Sequence, residues 1–257
     1  SASASASAAG ASHASSVPST LAAVDPQAAP ARPASAAADA GSAGEDSAGP
    51  IRTVAALKAD LKSLGHDEKS AWRELASLWK VDARGGDACA AATRQQIRCF
   101  KFNATLPMLK SLDRPGFLGL RDEGRNVDVV LVGLEGDDAL LQSEGSGTRR
   151  VSLAAIARLW HGEFGTLWRL PPGYTHALGE GDSGPLVDRL AEQLAHLAHE
   201  PPPGNGQTMD AALRARVVRF QTSHGLSGVG KAGPTTFMQL NRAVGVDEPT
   251  LRTVATD

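Results

Sequence analysis

The chain has 257 residues and a formal net charge of −2 at pH 7, a length sufficient for one large domain or two small ones. This charge argues against a general nucleic-acid binder, so no nucleic acid is expected among the partners. No apolar run approaches the length of a membrane span. The first residue is Ser, without a basic-then-apolar leader, so we expect a fragment or processed form whose targeting element lies outside it.

Residues 1–50 consist mainly of Ala, Ser, Gly and Pro. Large apolar side chains are scarce, so this segment cannot bury enough surface to offset the entropy lost on ordering. We predict a disordered tether over residues 1–50, which its proline residues favour in an extended form.

An ordered α+β domain is predicted over residues 51–172. An apolar stripe at helical spacing predicts a first helix from Val54 to Leu64, which Gly65 can end. Ser70 is the predicted N-cap of a second helix, in which Trp72 and Trp79 are expected to point inward. Helices before a small antiparallel sheet are typical of the α+β class.

The rest of this domain is predicted from alternating patterns and turn signals. A β-branched run followed by Glu135-Gly136-Asp137 predicts an antiparallel hairpin. In chain order, we predict a helix at 106–112, strands at 116–120, 127–134 and 139–142, a helix at 153–160 and a strand at 164–170.

Cys89 and Cys99 are the two cysteines of the chain and are expected in a polar loop. A close, even pair favours a disulfide in an oxidising compartment. Closing so short a loop stabilises by roughly 2–3 kcal/mol in the chain-entropy model. Two reduced, buried thiols are the alternative, and metal binding fits less well because no further ligands lie nearby.

Residues 176–251 carry three sets of helix signals. Asp182 or Ser183 can cap the first helix, Asp210 the second, and Gly233-Pro234 starts the third. Gly225 suits the left-handed position that ends the second helix. We therefore predict a three-helix module.

This order of signals resembles the peptidoglycan-binding domain of many cell-wall proteins. The matching segments are 181–190, 217–226 and 230–236. Val229 replaces the usual Asp and Val217 the usual Ala, and Val229 puts the loop before the third helix in doubt as a ligand contact. The resemblance implies peptidoglycan as a partner.

The middle domain resembles a papain-like peptidase of the bacteriocin-processing type, mainly over residues 155–168. That family carries Cys, His and Asp at positions that fall here near Ser70–Trp72, Val127 and Ser143, and none has the required residue. A thiolate nucleophile needs a base within hydrogen-bond reach, and we expect both cysteines outside the helix start that lowers a thiol pKa. We therefore predict a degenerate peptidase-like domain without catalytic residues.

Both domains together are similar to the periplasmic region of the general secretion pathway protein A family. The shared features are the cysteine pair, Leu112–Pro115 and Trp160–Arg169, and the resemblance covers about residues 53–251. It implies periplasmic wall binding and help in assembling the type II secretin, with general secretion pathway protein B and the secretin as partners. It also implies an inner-membrane tether in the full-length protein. The family's ATPase phosphate-loop motif is not in this sequence.

Five residues are candidate peptidoglycan contacts. Arg216 and Arg219 share a helix flank and suit the carboxylates of stem peptides, although either can be solvated surface. Gln221 and Thr235 offer amide and hydroxyl groups, and Asp182 lies at a predicted helix start. Gln221 can equally brace a loop.

No cofactor or metal is expected. His196 and His199 have a spacing that can chelate, but no third ligand is apparent and both suit a helix C-terminus.

Three functions compete. The first is a non-catalytic wall-binding and assembly module; the second is a cell-wall hydrolase targeted by its peptidoglycan-binding domain. The third is an interaction domain that has lost ligand binding, and self-association is left open. Under the first, we expect residues 176–251 to bind peptidoglycan on their own.

Overall fold

The computed structural model describes residues 49–83, 86–143 and 147–251, so the tether predicted for residues 1–50 lies almost wholly outside them. The helices are α1 (Val54–Leu64), α2 (Glu68–Leu78), α3 (Ala88–Thr93), α4 (Leu106–Leu112), α5 (Leu153–Leu159), α6 (Pro185–Leu197), α7 (Ala211–Ser223) and α8 (Pro234–Ala243). The strands are β1 (Gly65–His66), β2 (Ile97–Asn103), β3 (Gly116–Asp122), β4 (Arg125–Glu135), β5 (Asp138–Gln142), β6 (Thr148–Ser152) and β7 (Trp160–Arg169). This confirms the predicted α+β class.

The strands form one antiparallel sheet in the order β2-β7-β3-β4-β5-β6, with β1 paired to the start of β4. The predicted hairpin is β4–β5. Strands β2 and β6 are not predicted because both are edge strands with charged residues, whose polar pattern is typical of edges and also of loops.

Helices cover both faces of the sheet. On one face, α1 and α5 pack on residues such as Val129, and on the other α2 and α3 pack on residues such as Val130. Gly165 is required on the second face, because a Cβ there would lie 2.2 Å from the ring of Phe117. The fully buried Phe117 ring can therefore lie across β7 and meet Trp72 edge to face at 4.8 Å.

Two predicted details of the first domain are wrong, while the inward tryptophans are confirmed. Asp67, not Ser70, caps α2, because its carboxylate accepts the Ser70 N–H at 2.7 Å. Trp72 and Trp79 both point inward as predicted, with Trp79 buried and Trp72 half-buried against the core beside Phe117. Cys89 lies in the first turn of α3 and Cys99 in β2, rather than together in a polar loop.

The C-terminal helices begin and end close to the predicted positions. Asp210 caps α7, and Gly225 has φ +70° after its last turn. The Leu226 N–H bonds to the Gln221 carbonyl at 2.8 Å and the Gly225 N–H to Thr222 at 3.3 Å, which is a Schellman motif. The first cap differs, since Gly184 precedes α6 and neither Asp182 nor Ser183 bonds its first turn.

A shared core joins the two predicted domains. Leu112 and Trp168 belong to the same apolar cluster as α6, α7 and α8, and Leu251 returns to the cluster beneath α1 and α5. The Arg114 guanidinium is buried at this junction, 2.9 Å from Glu248. The division at residues 172–176 stays a prediction, but an isolated 176–251 fragment would expose surface that this core buries.

Candidate functional site

A groove between α6 and α7 contains the two predicted arginines. It encloses about 310 Å³, with an apolar floor that includes Leu194, Leu197 and Phe220. Arg216 and Arg219 line one side, as their spacing on one helix flank predicts. The groove therefore combines apolar surface with two guanidinium groups, which can bind the carboxylate of a short peptide.

The two arginines differ in availability. Arg216 is bound to Glu200 at 2.6 Å, while Arg219 is exposed. An exposed ion pair contributes little and exchanges readily with another carboxylate. Arg219 is thus the more accessible group, and Arg216 can bind a ligand by releasing Glu200.

The other candidate residues lie on a different side of the module. Asp182 accepts the Gly179 N–H at 2.7 Å and lies 3.4 Å from the His176 imidazole. The Gly179 hydrogen bond is the main cause of a lowered pKa of the Asp182 carboxyl. Its segment pairs with the loop before α8 through Leu178, so Asp182 is on the side of that loop, where Thr235 lies in the first turn of α8.

Gln221 is an internal brace. It is buried, its amide donates to Lys231 O at 2.8 Å and Thr236 Oγ1 at 2.9 Å, and its carbonyl accepts the Gly230 N–H at 2.9 Å. With these bonds satisfied it is poorly placed to contact a ligand, so bracing is the interpretation that fits. Gln221 also lies about 160° from Arg219 around the helix, which separates the loop side from the groove.

The exposed Val229 lies in the loop that Gln221 braces, with 60% of its surface accessible. An isolated exposed valine offers a ligand no charge and no hydrogen-bonding side chain. The arginine groove is therefore the better candidate for binding a charged ligand than this loop.

The positions of a peptidase nucleophile and base hold other residues. Cys89 and Cys99 form a disulfide with a Cα–Cα distance of 5.6 Å, so neither cysteine of the chain is a free thiol. Ser70 to Trp72 lie in α2, Val127 in β4 and Ser143 after β5. The disulfide ties α3 to the edge strand β2, which is a structural role.

A polar cluster that the sequence analysis misses lies on the α2 face of the sheet. His66 pairs directly with Asp128, and Asp128 with Gly119. A Cβ on Gly119 would lie 3.0 Å from Glu163 Oε2, so the Glu163 side chain occupies the space above this glycine. Directly paired residues share a sheet face, so His66 and Asp128 lie on the same face as the Glu163 side chain.

One basic neighbour, Lys101, and one acidic neighbour, Glu68, complete this cluster. The Lys101 ammonium lies 2.6 Å from Glu163 and 3.0 Å from Glu68 in the first turn of α2. Burial raises the pKa of Asp128 to about 6. The Lys101 ammonium lowers this pKa, while the carboxylates of Glu163 and Glu68 raise it. An aspartate inside the β-branched run of β4 is the sequence signal that marks this position.

Metal-binding groups and membrane-spanning helices were sought in the described part of the chain. Within residues 49–83, 86–143 and 147–251, no three His, Cys, Asp or Glu side chains are grouped so that they could hold a metal ion. In the same ranges, none of the helices has the length and apolar character needed to span a bilayer.

The structure thus defines an α+β protein whose antiparallel sheet has helices on both faces and is joined through a shared core to three C-terminal helices. Among proteins of known identity, the chain is homologous to general secretion pathway protein A of Aeromonas hydrophila. The two are 30% identical over 184 residues, which is 71% of this chain and 33% of the relative. The predicted resemblance is confirmed, and the chain spans about a third of the relative's length. No protein-family model matches the chain.

Two solved structures are similar to the chain at lower levels. One is a periplasmic domain of the EpsAB fusion protein of the Vibrio vulnificus type II secretion system, 24% identical with a TM-score of 0.46 over 71% of this chain and 81% of that one. The other is the peptidase domain of Streptococcus mutans ComA, 12% identical with a TM-score of 0.31 over 42% of this chain and 98% of that one.

Proposed function

We propose that this chain is a non-catalytic periplasmic module that binds peptidoglycan and helps to assemble the type II secretin through the cell wall. The observation that carries the proposal is the homology to general secretion pathway protein A over 71% of the chain. Its partners in this role are peptidoglycan, general secretion pathway protein B and the secretin, and the full-length protein is tethered to the inner membrane.

The groove between α6 and α7 supports the wall-binding part of the proposal. Stem peptides of peptidoglycan present carboxylates beside small apolar side chains. The groove offers guanidinium groups from Arg216 and Arg219 beside an apolar floor, so both parts of such a peptide have a complementary surface. Binding through these partly exposed charges should weaken with added salt.

The disulfide supports the non-catalytic part. A cell-wall peptidase of the cysteine type needs a free thiolate near a base, and both cysteines of this chain are bonded to each other. The cell-wall hydrolase remains the alternative to be tested, and it would require a different nucleophile.

The groove is tested by substituting both arginines in the full chain. Co-sedimentation with purified sacculi should find the unmodified chain in the pellet and Arg216→Ala/Arg219→Ala shifted towards the supernatant. Arg158→Ala is the matched control, because Arg158 is an exposed arginine on α5, away from the groove. If the double variant pellets as well as the control, the groove assignment is wrong; if the unmodified chain does not pellet, the proposed function is wrong.

A further inference from the structure

A second pocket adjoins the arginine groove at the C-terminal end of α7. It encloses about 350 Å³ and is lined by residues of α4, α7 and α8. Ser223 and His224 line both the groove and this pocket, so the two are neighbours along one surface. From Arg216 to Ser223 α7 rises about 10 Å. The pocket extends this surface, so that groove and pocket together match the length of about four extended peptide residues.

Gln239 supplies the pocket with a hydrogen-bond acceptor on a buried side chain. Only 2% of Gln239 is exposed, and its amide nitrogen donates to Ser111 Oγ at 2.8 Å. The Ser111 hydroxyl donates its own hydrogen to the His224 carbonyl, which fixes the orientation of the Gln239 amide. Among the described residues the Gln239 carbonyl oxygen accepts no hydrogen bond, and it is not sealed from solvent. It is therefore available to accept an N–H from a ligand.

Arg242 supplies the pocket with a positive charge. Its side chain is 43% exposed and is paired with Asp113. A partly exposed ion pair of this kind contributes little and exchanges readily with another carboxylate. Arg216 and Arg219 line the neighbouring groove, so guanidinium groups lie in both parts of the combined surface. This arrangement suits a ligand with two carboxylates separated by a short stretch of peptide.

We propose that the groove and the pocket together bind one extended peptide of about four residues that ends in a free carboxylate. An acidic side group of the peptide binds Arg216 and Arg219, its C-terminal carboxylate binds Arg242, and its last peptide N–H donates to the Gln239 oxygen. The choice of ligand rests on the proposed function, under which this peptide is a stem peptide of peptidoglycan.

Recognition of the peptide end depends on both parts of the chain. Ser111 lies in α4, beside the sheet, whereas Gln239 and Arg242 lie in α8. The hydrogen bonds from Gln239 to Ser111 and from Ser111 to His224 cross the junction between them. The three C-terminal helices alone therefore lack one wall of the pocket.

The experiment is an NMR titration of the full chain with two peptides. One is L-Ala-γ-D-Glu-L-Lys-D-Ala with a free C-terminal carboxylate, and the other is its C-terminal amide. We expect the free acid to perturb the backbone amides of residues 216–224 and of residues 111, 225, 239 and 242 saturably, with one common Kd. The amide should bind about tenfold more weakly, because it loses the charge-assisted hydrogen bonds to Arg242.

Two variants and a matched control assign the effect to the pocket. Arg242→Met should weaken binding of the free acid about tenfold and leave the amide unchanged, so that both peptides bind alike. Ser111→Ala releases the Gln239 amide and should weaken binding of both peptides roughly fivefold. Arg158→Met removes an exposed arginine from α5 and should bind both peptides like the unmodified chain.

The outcomes distinguish this proposal from the proposed function. Changes confined to residues 216–224, with equal binding of acid and amide, would overturn the shared site and leave wall binding through the groove intact. The absence of a saturable change with either peptide would also overturn it. A chain that binds the peptides as expected but does not pellet with sacculi would support this site and contradict the proposed function.

Discussion

Replacing Arg114 with Met should destabilise the whole described unit, because this residue joins the sheet to the C-terminal helices. The Arg114 and Glu248 side chains are only 3% and 5% exposed. Arg114 also donates to the carbonyls of Leu167 at 3.1 Å and Met238 at 3.2 Å. Removing one partner of a buried pair typically costs about 3–5 kcal/mol, since the other charge stays buried.

A second ion pair at the same junction provides the matched control. Arg242 binds Asp113, with exposed fractions of 43% and 26%, so Arg242→Met should cost at most about 1 kcal/mol. Urea unfolding followed by tryptophan fluorescence and circular dichroism should show a lower midpoint for Arg114→Met at unchanged slope.

The double variant Arg114→Met/Glu248→Gln tests the cause. Glu248 accepts the Arg169 N–H at 2.8 Å, and a Gln carbonyl can keep this bond while removing the unpaired charge. The double variant should therefore recover part of the lost stability. Equal costs for Arg114→Met and Arg242→Met, or no recovery, would refute the reasoning.

Three further outcomes test other parts of the account. Thiol titration of the denatured, unreduced chain should find no free thiol, and Cys89→Ser/Cys99→Ser should lower the free energy of unfolding by roughly 2–3 kcal/mol; two titratable thiols would contradict the disulfide. Asp128→Asn should stabilise the fold at pH 7 by up to about 3 kcal/mol. The pKa of the Asp128 carboxyl is raised to about 6 on folding, so this group lowers the stability of the fold as the pH rises from about 4 to 6. The gain from the substitution should therefore vanish below pH 4, and an equal gain at both pH values would exclude ionisation as its cause. Gln221→Leu should cost about 1–3 kcal/mol by leaving the Gly230 N–H and Lys231 carbonyl unpaired, and an unchanged urea midpoint would show that Gln221 is not a brace.

The sequence predicts the elements whose cause is local. Asp210 and Gly225 fix the two ends of α7 through a cap and a left-handed residue, both of which are short-range signals. The hairpin at Glu135–Asp137 is predicted for the same reason. Strand β2 depends instead on pairing with β7, whose paired residues lie 60 to 72 positions later in the chain, and its own pattern resembles a loop.

The candidate site divides in the same way. Arg216 and Arg219 share a flank because helical spacing places them there, so sequence alone predicts their proximity. The separation of Asp182 from Arg219 depends on how the segment before α6 packs on the loop before α8, which no local pattern encodes. The cluster around Asp128 depends on the register of four strands, so only the folded sheet reveals it.

Incubating the full chain with purified sacculi tests the central claim most directly, with protein measured in the pellet and soluble muropeptides in the supernatant. We predict that the chain pellets at low salt, that added salt releases it, and that no muropeptides are released at any time. A folded chain that stays in the supernatant at low salt would contradict peptidoglycan binding, and soluble muropeptides would favour the cell-wall hydrolase.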